Sequence, residues 1–420
     1  MSEHRSTARS VQRRRIPTAA VAVPLALVAA GTVAPWFLDA FWLQVGLFAI
    51  AAAVAALGLE ILVGEAGQLS LAHSFFIMIG AYAYTYAAGE SQTIGVSTQD
   101  GLGLPPIVAV IFAVALAGLA GLAFSPIAGR LRGVYLGVAS LGLVFLGQHI
   151  LFNSPTITGG FNGRDVPAFT LFGFRFDDVA GETTNWFGKD FTRTGKLWFV
   201  ALAVLFLTWL FVRNVQRSRV GRAMRAVRDG EIAASVMGVP VTRYKASAFM
   251  VSSMLAGLGG VVLALAFRRI VPETFGVILA IEYLAMIVIG GLGSTGGAIA
   301  GAFFVSALPA VLQRYSSDLP FLSASPTEGG ITAGVAARLL FGAAIVAVLL
   351  FEPGGFAGIA RRVSRRLAHL HARTRARPTT RAPELDSTRR IASTVTESSV
   401  LPAPESEPVP TDATARSTTS

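Results

Sequence analysis

Long uncharged apolar runs recur along this chain, separated by short polar or charged breaks. Roughly 20 helical residues cross the hydrocarbon core of a bilayer. The pattern predicts ten such helices, at about 17–36, 41–60, 69–88, 105–128, 133–152, 195–212, 246–267, 274–292, 296–313 and 331–351. The run from Pro17 to Leu38 follows basic residues, as the apolar part of a signal peptide does. It is longer than such a region usually is, and more spans follow, so it reads as a retained helix. The expected fold class is all-α, a polytopic membrane helix bundle of about ten segments.

Composition agrees with that class. Apolar residues make up 53% of the chain and charged residues 14%, and the mean hydropathy is +0.60. The net charge of +11 suggests nucleic acid until it is located. Residues 1–16 hold five Arg and one Glu, and residues 361–420 hold eleven Arg and six acids, so nine of the eleven net charges sit in two flanking polar segments. That placement fits orientation in a membrane and contact with lipid headgroups, not a nucleic-acid groove. Cysteine is absent, which excludes disulfides and thiolate metal sites.

The excess of Lys/Arg on inner loops orients such a chain. With both termini cytoplasmic, Arg130/Arg132, the loop 213–245 and the Arg-rich tail fall inside, and 89–104, 153–194 and 314–330 fall outside. Arg268 and Arg269, in an outer turn, go against this trend. Three parts result: a basic N-terminus, 1–16; a transmembrane domain, 17–360, carrying an extracytoplasmic insertion at 153–194; and a tail, 361–420. The tail is rich in Ser, Thr, Pro and Arg and is expected to be disordered.

Three polar motifs interrupt the apolar pattern. The first is the loop 213–245, with eight Arg/Lys against Asp229 and Glu231. Within it Val220, Ala223, Met224, Val227, Ala234 and Met237 fall near one helical stripe, and Gly238 before Pro240 stops a helix. It is either a docking element for a soluble partner or an anchor on the positively charged side. The second is Gly64-Glu-Ala-Gly67-Gln68-Leu-Ser70-Leu-Ala-His73, read as a pathway lining or as a tight turn. His73 has no second ligand at metal spacing. The third runs from Glu282 through Gly290 and Gly293 to Gly297. It reads either as a pathway or gate lined by Glu282, Gly290 and Gly293, or as close helix packing at the glycines, with Glu282 a lone acid within an apolar run. Arg338, inside the last span, fits snorkelling. No catalytic residues and no metal site are expected. Neither Gly188-Lys189 nor Gly195-Lys196 completes a phosphate-binding loop, and no hydrolase or zinc motif occurs.

Five blocks in order resemble the permease subunits of branched-chain amino acid ABC importers, the LivM type more than LivH. They are LEILVGEAGQLSLAHSFFIMIGAY from Leu59, LRGVYLGVASLGLVFLGQHIL from Leu131 with TGGFNG from Thr158, the segment Gly221–Gly260, the segment Glu282–Gly301, and LFEPGGFAG from Leu350. The resemblance covers most of 41–360. It implies a bacterial inner-membrane subunit that is not itself an enzyme. The implied partners are two ATP-binding subunits, which hold the ATP, a LivH-like second permease and an extracytoplasmic solute-binding protein. The chain would bind no cofactor of its own. The resemblance also assigns ATPase coupling to Glu231, Ala233, Ala234 and Gly238, with Arg222, Arg225 and Arg228 flanking. Gly230 departs from the Asn or Asp common at that position. Urea or short amides are the alternative cargo, and a secondary transporter working alone is the alternative class.

Overall fold

The computed structural model describes residues 29–94, 97–131, 133–171, 173–177, 184–186, 189–315, 322–323, 331–352 and 354–364. The basic N-terminus, most of the first expected span and the tail beyond 364 lie outside the described residues. Helices are α1 (29–37), α2 (Ala40–Leu59), α3 (His73–Ala88), α4 (Pro106–Arg130), α5 (Val134–Phe152), the single turn α6 (Pro155–Thr158), α7 (Arg193–Arg217), α8 (Arg219–Asp229), α9 (Glu231–Val236), α10 (Val241–Ala266), α11 (Val277–Gly290), α12 (Thr295–Arg314), α13 (Ala333–Phe351) and α14 (355–364). A π-helical turn, Glu60–Glu65, extends α2.

By length and composition, six helices among the described residues can cross a membrane: α2 with its π-turn, α4, α5, α7, α10 and α12. The expected count of about ten is therefore not confirmed among the described residues. Two of the expected spans are short helices: α3 has 16 residues and α11 has 14. At 1.5 Å per residue these reach about 24 and 21 Å, against a hydrocarbon core of about 30 Å. Residues 69–72 are not helical, so the span expected from residue 69 starts at His73. The expected tail boundary at 361 also shifts, because α14 runs through it and Arg362 pairs with Glu352 at 2.5 Å.

The bundle is built around α2 and α10. α10 packs on α2, α3 and α4, while α2 also packs on α7 and α12. Small residues set these distances. A side chain on Gly80 would run into the backbone of Gly257, and one on Gly260 into the Ile77 carbonyl. Between apolar helices in lipid, such close backbone approach supplies the dispersion contact that drives association. Leu57, Ile61, Ile77 and Phe249 are fully enclosed. By contrast, α4, α5 and α12 keep most of their residues on the bundle surface.

The segment 153–194 contains short antiparallel ribbons in its described parts. One strand, Arg164–Asp165, pairs with Arg269–Ile270 after α10. Arg269 donates to both Asp165 oxygens, at 2.7 and 3.0 Å. The arginine that ran against the expected charge trend is thus half of a bidentate pair.

Candidate functional site

The basic loop folds as two helices meeting at Gly230, whose backbone is extended, and not as one amphipathic helix. Ser218 caps α8 by accepting from the Gly221 N–H at 3.3 Å. α8 buries Met224 and Val227. α9 has six residues, too few to persist alone. It is fixed at three points: Ala234 is buried, Glu231 forms an ion pair with Lys245 on α10, and Gly238 closes the C-terminus at φ 81°. There the Gly238 N–H donates to the Ser235 carbonyl and the Val239 N–H to the Ala234 carbonyl, both at 3.0 Å, a Schellman closure. The stripe expected from spacing therefore splits. Met224, Val227 and Ala234 face inward, whereas Met237 is 83% exposed, beside Ile232 at 77% and Val236 at 83%.

This geometry corrects several expectations. Arg225 and Arg228 were expected to flank a partner, but both reach into their own bundle. Arg225 donates to the Glu65 carboxylate at 2.6 Å and to the Gln216 carbonyl at 3.0 Å. Arg228 donates to the Gly64 carbonyl at 2.5 Å and to Asp229 at 3.0 Å. Arg222 bonds the nearby Arg217 carbonyl at 3.1 Å. Glu231 is engaged by Lys245, and Ala234 seats α9 against its own chain. Ala233 and Gly238 are on the exposed side.

The Gly64 motif is the receptor for these arginines. Gly67, at φ 69°, lies so close to Arg228 that a Cβ would meet that side chain and approach its backbone. Farther on, the motif enters the bundle. Gln68 donates to the Lys245 carbonyl at 3.3 Å, and the Ser70 hydroxyl accepts from the Ala72 N–H at 3.2 Å. His73 is buried, with its Nε2 2.8 Å from the Ala55 carbonyl and its ring against Tyr283. The turn and the buried polar stretch are thus successive parts of one segment.

Sequence reasoning passed over Glu60. It is fully buried in the π-turn, and its Oε1 accepts from the Gly293 N–H at 2.5 Å. The Glu60-x-x-x-Gly64 spacing carried the signal, since a side chain on Gly64 would strike the Glu60 carboxylate. Gly290 and Gly297 meet backbone to backbone, which gives these glycines the packing role. Glu282 is half-buried on α11, and the Arg338 charge lies near enough to act on it. Near the ends of α2, α7 and α10 remote from the basic loop lies a cavity of about 300 Å³ lined in part by Gln44, Arg193, Thr194 and Arg268.

The described residues thus form a bundle of membrane-length helices that holds a short helix with an exposed apolar tip at one end. The chain belongs to the family described as branched-chain amino acid transport system / permease component, whose model matches residues 41–350. It is 32% identical over 258 residues to the high-affinity branched-chain amino acid transport system permease protein LivM of Escherichia coli (strain K12), covering 59% of this chain and 58% of that one. It is 25% identical to LivH of Salmonella typhimurium, over 63% of this chain and 82% of that one. It is also 31% identical to the autoinducer 2 import system permease protein LsrC of Enterobacter sp. (strain 638), over 53% and 60%. The chain spans about three fifths of the length of the LivM relatives from Escherichia coli and Salmonella typhimurium. No solved structure matches it.

Proposed function

We propose that the chain is the LivM-type permease subunit of an ABC importer for branched-chain or other hydrophobic amino acids. It sits in the inner membrane with the basic loop and both termini in the cytoplasm. Its partners are two ATP-binding subunits, a LivH-like permease and an extracytoplasmic solute-binding protein. ATP binds the partner subunits, and this chain takes no cofactor.

One observation carries the reading. Ile232, Val236 and Met237 form a water-exposed apolar tip on a helix whose other side is fixed to the bundle. An exposed apolar patch held rigidly is a docking surface, because burying it in a partner cleft is favourable and little entropy remains to be lost. Glu231 then acts from within, by holding α9 to α10. When the ATP-binding subunits close, the tip moves with them, and α8 passes the displacement to the Gly64 turn through Arg225 and Arg228.

The test replaces Ile232 and Met237 together by Asp. Burial of two such side chains is worth about 3 kcal/mol, so affinity for the ATP-binding subunits should fall roughly 100-fold, with the permease still in the membrane. Unchanged co-purification of those subunits together with unchanged uptake would reject the docking assignment. The similarity to an autoinducer 2 permease supports a second cargo class beside amino acids, and uptake with a panel of amino acids, urea, short amides and autoinducer 2 separates the alternatives.

A further inference from the structure

We infer that Glu60 is the positioning residue that carries displacement of the basic loop to the α11–α12 turn. This inference rests on the docking reading above and names the path by which a docked partner would act on the bundle. The path is continuous in side-chain and backbone contacts. Arg228 holds the Gly64 carbonyl and Arg225 holds Glu65, so α8 grips the far end of the π-turn at two points. Glu60 begins the same turn, and its carboxylate crosses to Gly293, 233 residues away, whose N–H it accepts. Gly293 sits between α11 and α12 at φ 82°, beside Gly291 at φ 98°. Gly293 has open space beside it and, as a glycine, can rotate at little steric cost, so a pull on it can re-aim α11 against α12.

Three further features point to the carboxylate as the working part. It is fully buried, and a buried polar group with an unmet hydrogen-bonding atom is costly to keep, so a merely structural site would fill this space with an apolar side chain. Its second oxygen, Oε2, has no hydrogen-bond partner among the described residues, which leaves an acceptor for a donor brought up by motion. Finally, Gly64 leaves room for the carboxylate, where any side chain would strike it. The π-turn itself, with its looser ladder, is the deformable piece between the two grips.

The experiment exploits the absence of cysteine from the chain. Single cysteines at the exposed positions Thr242, near α9, and Leu292, in the α11–α12 turn, are labelled with maleimide in the assembled complex, with and without a non-hydrolysable ATP analogue. In the otherwise unaltered chain both labelling rates should respond to nucleotide. Glu60→Ala should leave the response at 242 intact and reduce that at 292 about fivefold or more, while the ATP-binding subunits stay bound. Gly64→Ala should do the same by displacing the carboxylate without removing it. Glu60→Gln, which keeps a carbonyl acceptor for Gly293, should retain the response at 292. A full response at 292 in Glu60→Ala overturns the inference, as does its loss in Glu60→Gln with binding preserved. No nucleotide response at either position of the unsubstituted chain overturns the docking reading instead.

Discussion

Gly67 shows how one atom can decide the placement of a helix. Its φ of 69° is unfavourable for an L side chain, and the space a Cβ needs is taken by Arg228. Gly67→Val therefore meets two penalties, about 1–2 kcal/mol for the left-handed backbone and a steric one at the α8 contact. The expected result is an α8 displaced from the π-turn, with faster tryptic cleavage in 219–228 while the bundle helices stay protected. Wild-type cleavage rates would show that the approach of α8 does not depend on this glycine. At the same scale, Glu65 and Glu60 are two carboxylates five residues apart with different work. The first meets a guanidinium and the second a backbone N–H.

At the scale of elements, joints between segments distant in sequence carry the organisation. One ribbon joins Arg164–Asp165 to Arg269–Ile270, and its ion pair responds to pH in a definite direction. The hydrogen bonds from Arg269 hold the Asp165 carboxyl below its ordinary range, against a small opposing effect of burial, and the same contact raises the Arg269 guanidinium. A carboxyl with a depressed folded value stabilises fully above the ordinary carboxylate pKa of about 3.9 and loses that contribution as pH falls through the folded value. Both side chains are largely exposed, so the contribution is small and weakens with salt. Hydrogen exchange of the ribbon amides, such as the Val166 N–H held by the Arg268 carbonyl, taken relative to the intrinsic rate at each pH, should rise as pH falls below about 4, and Asp165→Asn should raise it at neutral pH and flatten the dependence. An unaltered pH profile in Asp165→Asn would assign the ribbon's hold to its backbone bonds alone.

For the molecule as a whole, the proposed function leaves the energy source with the partner subunits. Under the proposed function, vesicles containing this chain alone should show no solute flux above the lipid background, with or without an ion gradient. Flux should appear on addition of the second permease, the ATP-binding subunits, ATP and binding protein. Gradient-driven uptake by the isolated chain would instead make it a secondary transporter, with Glu282 and Arg338 the first residues to substitute.

The membrane class, the location of the charged segments and the existence of a basic loop between α7 and α10 follow from the sequence itself. Apolar length and charge placement are local properties, and the bilayer reads them one segment at a time. Gly238 as the stop of α9 was legible for the same reason, since a left-handed closure needs glycine whatever surrounds it. The tertiary structure alone decided where the side chains of that loop point. The resemblance placed Arg225 and Arg228 near a partner surface, but it could not show that Glu65 and the Gly64 carbonyl would lie within reach, 160 and 164 residues away. Nor could it tell Glu60 from a residue at the end of an apolar run, because its acceptor role exists only once Gly293 is brought beside it. A hydrogen bond depends on position to within a fraction of an ångström, and that precision arises only when the helices have packed.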